Sequence, residues 1–223
     1  VMNYGAPGLD NIKKLKLLNR AAFEKAINFN LGKMSFLVTY HPVTLSNANP
    51  AQSFKELTNA LDQFPEAKII FTKANADTAG RTINYNIDKY VEQNPQRAKV
   101  FTSMGQLLYL SAIKNMDIVI GNSSSGITEA PSFRKPTVNI GQRQQGRLKA
   151  DSIIDCAEKK QAIIAAIKKG LSAEFKNVLR ITKNPYGSGN ASLKIKEYLK
   201  KASLENILMK KFYDVNFYDS TEK

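Results

Sequence analysis

One cysteine and one histidine stand among 223 residues. Cys156 has no partner for a disulfide within the chain, and with His41 it cannot build a metal cluster. No metal cluster is therefore expected, and no cofactor is called for. No stretch reaches the ~18 consecutive apolar residues of a membrane-spanning helix, and no signal peptide is visible. These absences fit a reducing, cytoplasmic compartment and no membrane partner. Acidic side chains are also scarce: 19 Asp and Glu face 33 Lys and Arg, a formal net charge of +14. Such an excess invites a nucleic-acid partner. Yet Lys13, Lys14, Lys16, Lys168, Lys169, Lys200 and Lys201 interleave with apolar positions on predicted helices, which is the pattern of solvated helix faces. Neither a nucleic-acid motif nor an aromatic-basic stripe accompanies them, so no nucleic-acid partner is expected. A basic surface also suits an anionic nucleotide. An initiating methionine is absent too; the first residue is valine, and the chain is expected to begin inside a longer protein.

What is present is a rhythm. Apolar residues make up 43% of the chain, enough for one sizeable core. Short β-branched runs alternate with amphipathic stretches. Strands are expected at 35–40, 67–72, 98–102, 118–121, 137–140 and 152–155. Helices are expected at 11–18, with Asp10 as its cap, and at 19–29, 51–63, 79–93, 105–115, 126–131, 159–170 and 190–201. Alternation of this kind calls for a parallel sheet covered on both faces, in the doubly wound Rossmann-like order 3-2-1-4-5-6. That order sets strands one and four side by side at the topological switch, where ligands bind beyond the carboxyl ends of the strands. Residues 1–18 read as a linker and short helix, 19–180 as the ligand-binding domain, and 181–223 as carboxyl-terminal helices and a tail. The tail segment 204–218 is too apolar to stay solvated and is expected to pack on another part of the protein.

The loops at the carboxyl edge carry the chemistry. After strand four comes Gly121-Asn122-Ser123-Ser124-Ser125-Gly126, opening into a helix. Backbone N–H groups and three hydroxyls there can hold a phosphate, and Gly126 lets the backbone approach a ligand; an N-capped helix without a ligand has the same pattern. Glu129, one helical turn past Ser125, can accept both hydroxyls of a ribose. After strand one comes His41-Pro42-Val43-Thr44, which the topology brings to the serines. A histidine beside a diphosphate is a donor or a general acid. After strand two, Asn75 can face a sugar or a base edge, and Asp77 can cap the next helix. After strand three, Met104 and nearby backbone groups can hold a base ring. After strand five, Arg143 and Arg147 in Gly141-Gln-Arg-Gln-Gln-Gly-Arg147 form a plausible anion clamp.

Read together, these segments resemble a family. They are Val38-Thr-Tyr-His-Pro-Val-Thr44, Thr72-Lys-Ala-Asn-Ala-Asp77 with Gly80-Arg81, Gly121-Asn-Ser-Ser-Ser-Gly126 with Glu129, and Arg143-Gln-Gln-Gly-Arg147. In this order they resemble the carboxyl-terminal half of the hydrolysing UDP-N-acetylglucosamine 2-epimerases of sialic- and nonulosonic-acid synthesis. Gly5 to Asp10 is similar to that family's inter-domain linker, and Ile207 to Phe217 to its terminal segment. Non-hydrolysing relatives read His-Arg-Arg-Glu-Asn, Gly-Asp-Ser-Gly-Gly and Glu-Arg-Pro-Glu at the first, fourth and fifth loops; His41-Pro42, Asn122-Ser123-Ser124 and Arg143-Gln144 stand there here. The resemblance implies the second domain of a two-domain glycosyltransferase-B-like fold, with residues 19–180 binding UDP. Ser123, Ser124, Ser125 and Gly126 would hold the diphosphate, Glu129 the ribose and the backbone near Met104 the uracil. Asn75 and Arg143 would complete the nucleotide site, and His41 would stand at the scissile bond. The proton-transfer carboxylates belong to the family's first domain, so this chain alone is expected to bind UDP or a UDP-sugar without turning it over. A homo-oligomer stays open. Two other readings are the donor domain of a retaining glycosyltransferase and a basic α/β domain that binds nucleic acid.

Overall fold

The computed structural model describes residues 2–42, 49–75, 78–205 and 208–209. Six strands form one sheet: β1 Ser35–Thr39, β2 Lys68–Thr72, β3 Ala98–Phe101, β4 Ile118–Gly121, β5 Thr137–Ile140 and β6 Ile153–Cys156. Every pairing is parallel, and the order is β3-β2-β1-β4-β5-β6. The predicted doubly wound order is the observed one. Register at the centre matches Thr39 with Thr72 on one side and with Gly121 on the other.

The central strands β2, β1, β4 and β5 are buried almost throughout, and their alternate residues feed two cores. Phe36, Val38, Ile69, Phe71, Ile118 and Ile120 point to one face. There they meet α3 (Pro50–Leu61), α4 (Thr78–Gln93), α7 (Lys160–Leu171) and α8 (Ala173–Ile181). Leu37, Ile70 and Val119 point to the other, against α2 (Arg20–Ile27) and α5 (Gly105–Asn115). This is the continuous apolar run that a doubly covered parallel sheet requires. Burial of roughly 2 kcal/mol per large side chain makes these two layers the main source of stability.

Several local expectations shift. The first helix is short, a 3-10 turn at Pro7–Leu9 followed by α1 (Asp10–Lys14). Asp10 does not cap it. Its carboxylate accepts the N–H groups of Ala191 and Ser192, each at 2.9 Å, and so caps α9 (Ala191–Lys201) across the molecule. The segment at the front of the chain is thereby tied to its last described helix, and Tyr4 lies against Tyr198 at 6.0 Å between ring centroids. The helix α8 is absent from the sequence reading. It follows α7 across Ser172 alone, whose hydroxyl accepts the N–H of Phe175 at 3.1 Å. The helix after the serines, α6, runs Ser124–Thr128 and starts two residues earlier than expected. A 3-10 turn, Ala130–Phe133, continues it. The expected cap at Asp77, the Val43-Thr44 part of the first loop and most of the 204–218 tail lie outside the described residues.

Candidate functional site

The site is built where β1 and β4 end together. Gly121 leaves β4 at φ +134°, and a Cβ there would lie 1.9 Å from the carbonyl oxygen of Thr39. Only glycine lets the two strand ends approach so closely. Asn122 then turns inward and is fully buried. Its backbone N–H donates to Thr39 at 3.1 Å. Its side-chain Oδ1 accepts the N–H of His41 at 2.7 Å, and its Nδ2 donates to the His41 carbonyl at 2.8 Å. Its own carbonyl accepts two donors from the β5 loop, Arg143 at 3.0 Å and Gln144 Nε2 at 2.8 Å. Asn122 therefore binds three loops into one unit.

The serines follow. Ser123 caps α6: its hydroxyl accepts the N–H of Ser125 at 3.3 Å. Ser125 shares a hydrogen bond with the phenol of Tyr109, which stands on α5. Burial pushes the Tyr109 hydroxyl above its ordinary pKa, so it stays a neutral phenol able to donate. Among the described residues, none hydrogen-bonds the Ser124 hydroxyl. The five-residue α6 has too few aligned peptides for a strong macrodipole, so the donors here are the hydroxyls and amides themselves. Gly126 packs against β5. A Cβ at this position would lie 2.8 Å from Thr137 Cγ2 of β5, whose hydroxyl donates to the Gly126 carbonyl at 3.1 Å. The missing side chain serves the packing of α6 on β5.

A cleft of about 410 Å³ opens in front of the serine turn, lined by Thr39, Thr72, Ser103, Met104, Tyr109 and Ser125 among others. Met104 and the two serines Ser123 and Ser125 line it directly. His41 and Arg143 are outside its lining and join the serine turn through Asn122. Glu129 sits one turn past Ser125, its N–H bonded to the Ser125 carbonyl at 2.9 Å. Thr128 donates to its carboxylate, yet burial dominates and holds the carboxyl above its ordinary pKa. The side chain reaches toward Gly8 of the linker, 3.9 Å from where a Cβ would stand. Asn75 is exposed beyond β2, outside the lining. Its loop is pinned by Asn84, which exchanges two hydrogen bonds with Ala74 at 2.8 and 3.1 Å. The Arg147 side chain is exposed, and its backbone N–H donates to the Gln144 carbonyl at 3.4 Å. No group of three or more His, Cys, Asp or Glu that could hold a metal occurs among the described residues. Burial pushes the Cys156 thiol up to about 12, so it stays protonated at neutral pH.

A UDP-N-acetylglucosamine 2-epimerase family model matches residues 1–200. The chain belongs to this family. Among curated relatives, it is 43% identical over 216 residues to the Campylobacter jejuni GDP/UDP-N,N'-diacetylbacillosamine 2-epimerase (hydrolyzing), covering 96% of this chain and 56% of that one. It is 30% identical over 211 residues to the Legionella pneumophila UDP-N,N'-diacetylbacillosamine 2-epimerase (hydrolyzing), covering 95% of this chain and 54% of that one. The chain thus spans about half the length of the curated relatives it matches. In fold it resembles the Neisseria meningitidis UDP-GlcNAc 2-epimerase bound to UDP-GlcNAc, with a TM-score of 0.70 at 17% identity, covering 89% of this chain and 55% of that one. This likeness bears out the 2-epimerase fold expected from the loop motifs. Asn122, Gln144 and Tyr109 are the site residues that sequence reasoning passed over. Asn122 lies inside the serine motif, but nothing local to it signals a partner 81 residues away.

Proposed function

We propose that this chain is the UDP-binding half of a hydrolysing 2-epimerase. The substrate would be UDP-N-acetylglucosamine or its 2,4-diacetamido-trideoxy analogue. The observation that carries the reading is the cleft at the switch point, lined by hydroxyl donors that include Ser123 and Ser125 and by Met104. Ser123, Ser124 and Ser125 hold the diphosphate, whose charged oxygens strengthen each hydrogen bond. Gly126 belongs to the turn as the residue that seats it on β5. Met104 and the backbone beside it receive the uracil, Glu129 the ribose hydroxyls, and Asn75 and Arg143 close the nucleotide site. A ribose donating to Glu129 would add donors to the one Thr128 gives its half-buried carboxylate.

His41 stands at the diphosphate and assists its departure. The carbon 2 proton and UDP leave the sugar together, giving a 2-acetamidoglucal. Water then adds across the double bond, hydroxyl to carbon 1 and proton to carbon 2, and the product is a free mannosamine-type sugar. His41 alone does not both remove and return the carbon 2 proton. We assign that work to carboxylates of a further, amino-terminal domain that forms the opposite wall of the cleft. The share of the relatives' length that lies beyond this chain supports that assignment. The product would feed sialic- or nonulosonic-acid synthesis in the cytoplasm, and no helix among the described residues is long and apolar enough to cross a membrane.

The test is chromatographic. This chain is incubated with UDP-N-acetylglucosamine, and with its diacetamido analogue, alone and together with a first domain taken from the Campylobacter relative. UDP and a free 2-epimerised sugar are expected only when both domains are present. Transfer of the sugar to an added acceptor would point instead to a glycosyltransferase.

A further inference from the structure

We infer that Asn122 is the positioning residue of the His41 loop and that Gln144 holds Asn122 in place. The inference uses the UDP reading for one of its measurements but rests on geometry that is independent of it. Asn122 makes both side-chain bonds to one backbone residue: it accepts from the N–H of His41 and donates to its carbonyl. That reciprocal pair fixes the peptide planes on both sides of the His41 Cα, and so fixes where the imidazole starts. A carboxylate of the same shape could make only the first bond and would set oxygen against oxygen at the second. A serine could reach one partner at most. The residue that follows, Pro42, has no N–H to offer the turn, and the clasp on His41 comes from the end of the neighbouring strand β4.

The clasp is itself held. The Asn122 carbonyl accepts from Gln144, which is 2% exposed, and from Arg143, which is exposed. The buried amide of Gln144 is thus the contact that water does not compete for. Gln144 and Asn122 act in series: Gln144 sets Asn122, and Asn122 sets His41. This chain of contacts also links the β5 loop to the β1 loop through Asn122, so that Arg143 and His41 are positioned against a common reference.

The experiment uses the fact that His41 is the only histidine. Its ring resonances can be followed by NMR without assignment of the rest. Asn122→Ala, Asn122→Asp, Gln144→Leu and the double variant Asn122→Ala/Gln144→Leu are compared with wild type by three measurements. These are thermal melting, the ligand-free His41 spectrum and UDP affinity by calorimetry. Positioning predicts that Asn122→Ala and Asn122→Asp both shift or split the His41 ring signals well below the melting transition and weaken UDP at least tenfold. Gln144→Leu should do the same to a smaller degree. The double variant should be no worse than Asn122→Ala, because residues in series are not additive. A role confined to stability would lower the melting point with the His41 signals and UDP affinity unchanged, and that result overturns the inference. A shift in Asn122→Asp with none in Asn122→Ala would reduce the effect to added charge and overturn it equally. If the wild-type protein binds no UDP, the nucleotide reading fails, and the ligand-free spectra still decide this one.

Discussion

A methyl group at position 121 would stand 1.9 Å from the Thr39 carbonyl, and nothing on a strand end can move far enough to admit it. Gly121→Ala is therefore expected to lose more than ~3 kcal/mol of stability, and calorimetric melting checks it. Glu129 gives a pH dependence whose sign follows from burial. Its carboxyl is raised, so the folded chain keeps that proton to a higher pH than the unfolded chain does. Stability from this group is greatest below the unfolded value and declines as the pH rises past the folded one. Glu129→Gln removes the cost of the buried charge. The variant should melt above wild type at pH 7, and the gap should close below the ~4.3 of an ordinary glutamate. A gap that widens in acid would mean the carboxylate is stabilised where it stands. The serines and His41 were legible because short motifs carry them. Asn122, Tyr109 and Gln144 were not, because their partners come from other loops and their residue types are ordinary at such positions.

At the scale of the element, the seat of α6 on β5 makes a paired prediction. Gly126→Ala should cost ~1–3 kcal/mol, since its new methyl overlaps Thr137 Cγ2. Thr137→Ser removes that methyl and keeps the hydroxyl that bonds the Gly126 carbonyl. The double variant Gly126→Ala/Thr137→Ser should recover most of the loss in a denaturant titration; no recovery would mean the clash lies elsewhere. The cap on α9 is a second case. Bonds from Ser192 and Ala191 hold the Asp10 carboxyl below its ordinary pKa. The stability it confers is present above the unfolded value and is lost as pH falls through the folded one. Asp10→Ala should lower the melting temperature at pH 7 and make little difference in strong acid. The sheet was readable because each strand is a short β-branched run between turn residues, and parallel topology leaves few orders open. The helix α8 carried signals of its own, Ser172 as a cap and Phe175, Val178 and Leu179 at helical spacing. It was passed over because one residue separates it from α7. The Asp10 cap was assigned to the wrong helix because a cap is read locally, and this one acts 181 residues away.

For the whole molecule, the charge of +14 raises the question of nucleic acid. Ion pairs such as Lys73–Asp88 and Lys149–Asp155 engage only part of that charge. Weak, sequence-independent association with duplex at low salt is the most we expect, and it should vanish by ~0.15 M salt. A nanomolar complex at physiological salt, measured by fluorescence anisotropy, would contradict the nucleotide-sugar reading. Fold and family were visible from the order of the loops. How the loops hold one another was visible only in three dimensions.

The claim on which the function rests is that the serine turn holds a nucleotide diphosphate. Titration calorimetry of UDP into the wild-type chain and into Ser124→Ala tests it most directly. Ser124 is suited to the comparison because no described residue takes its hydroxyl, so the change removes a donor without breaking a contact of the fold. A hydrogen bond to a charged oxygen contributes roughly 1.5–3 kcal/mol, so the variant should bind UDP at least about tenfold more weakly. Binding of uridine, which lacks the phosphates, should be unchanged. Equal UDP affinity in wild type and variant, or no UDP binding by the wild-type chain, would contradict the account.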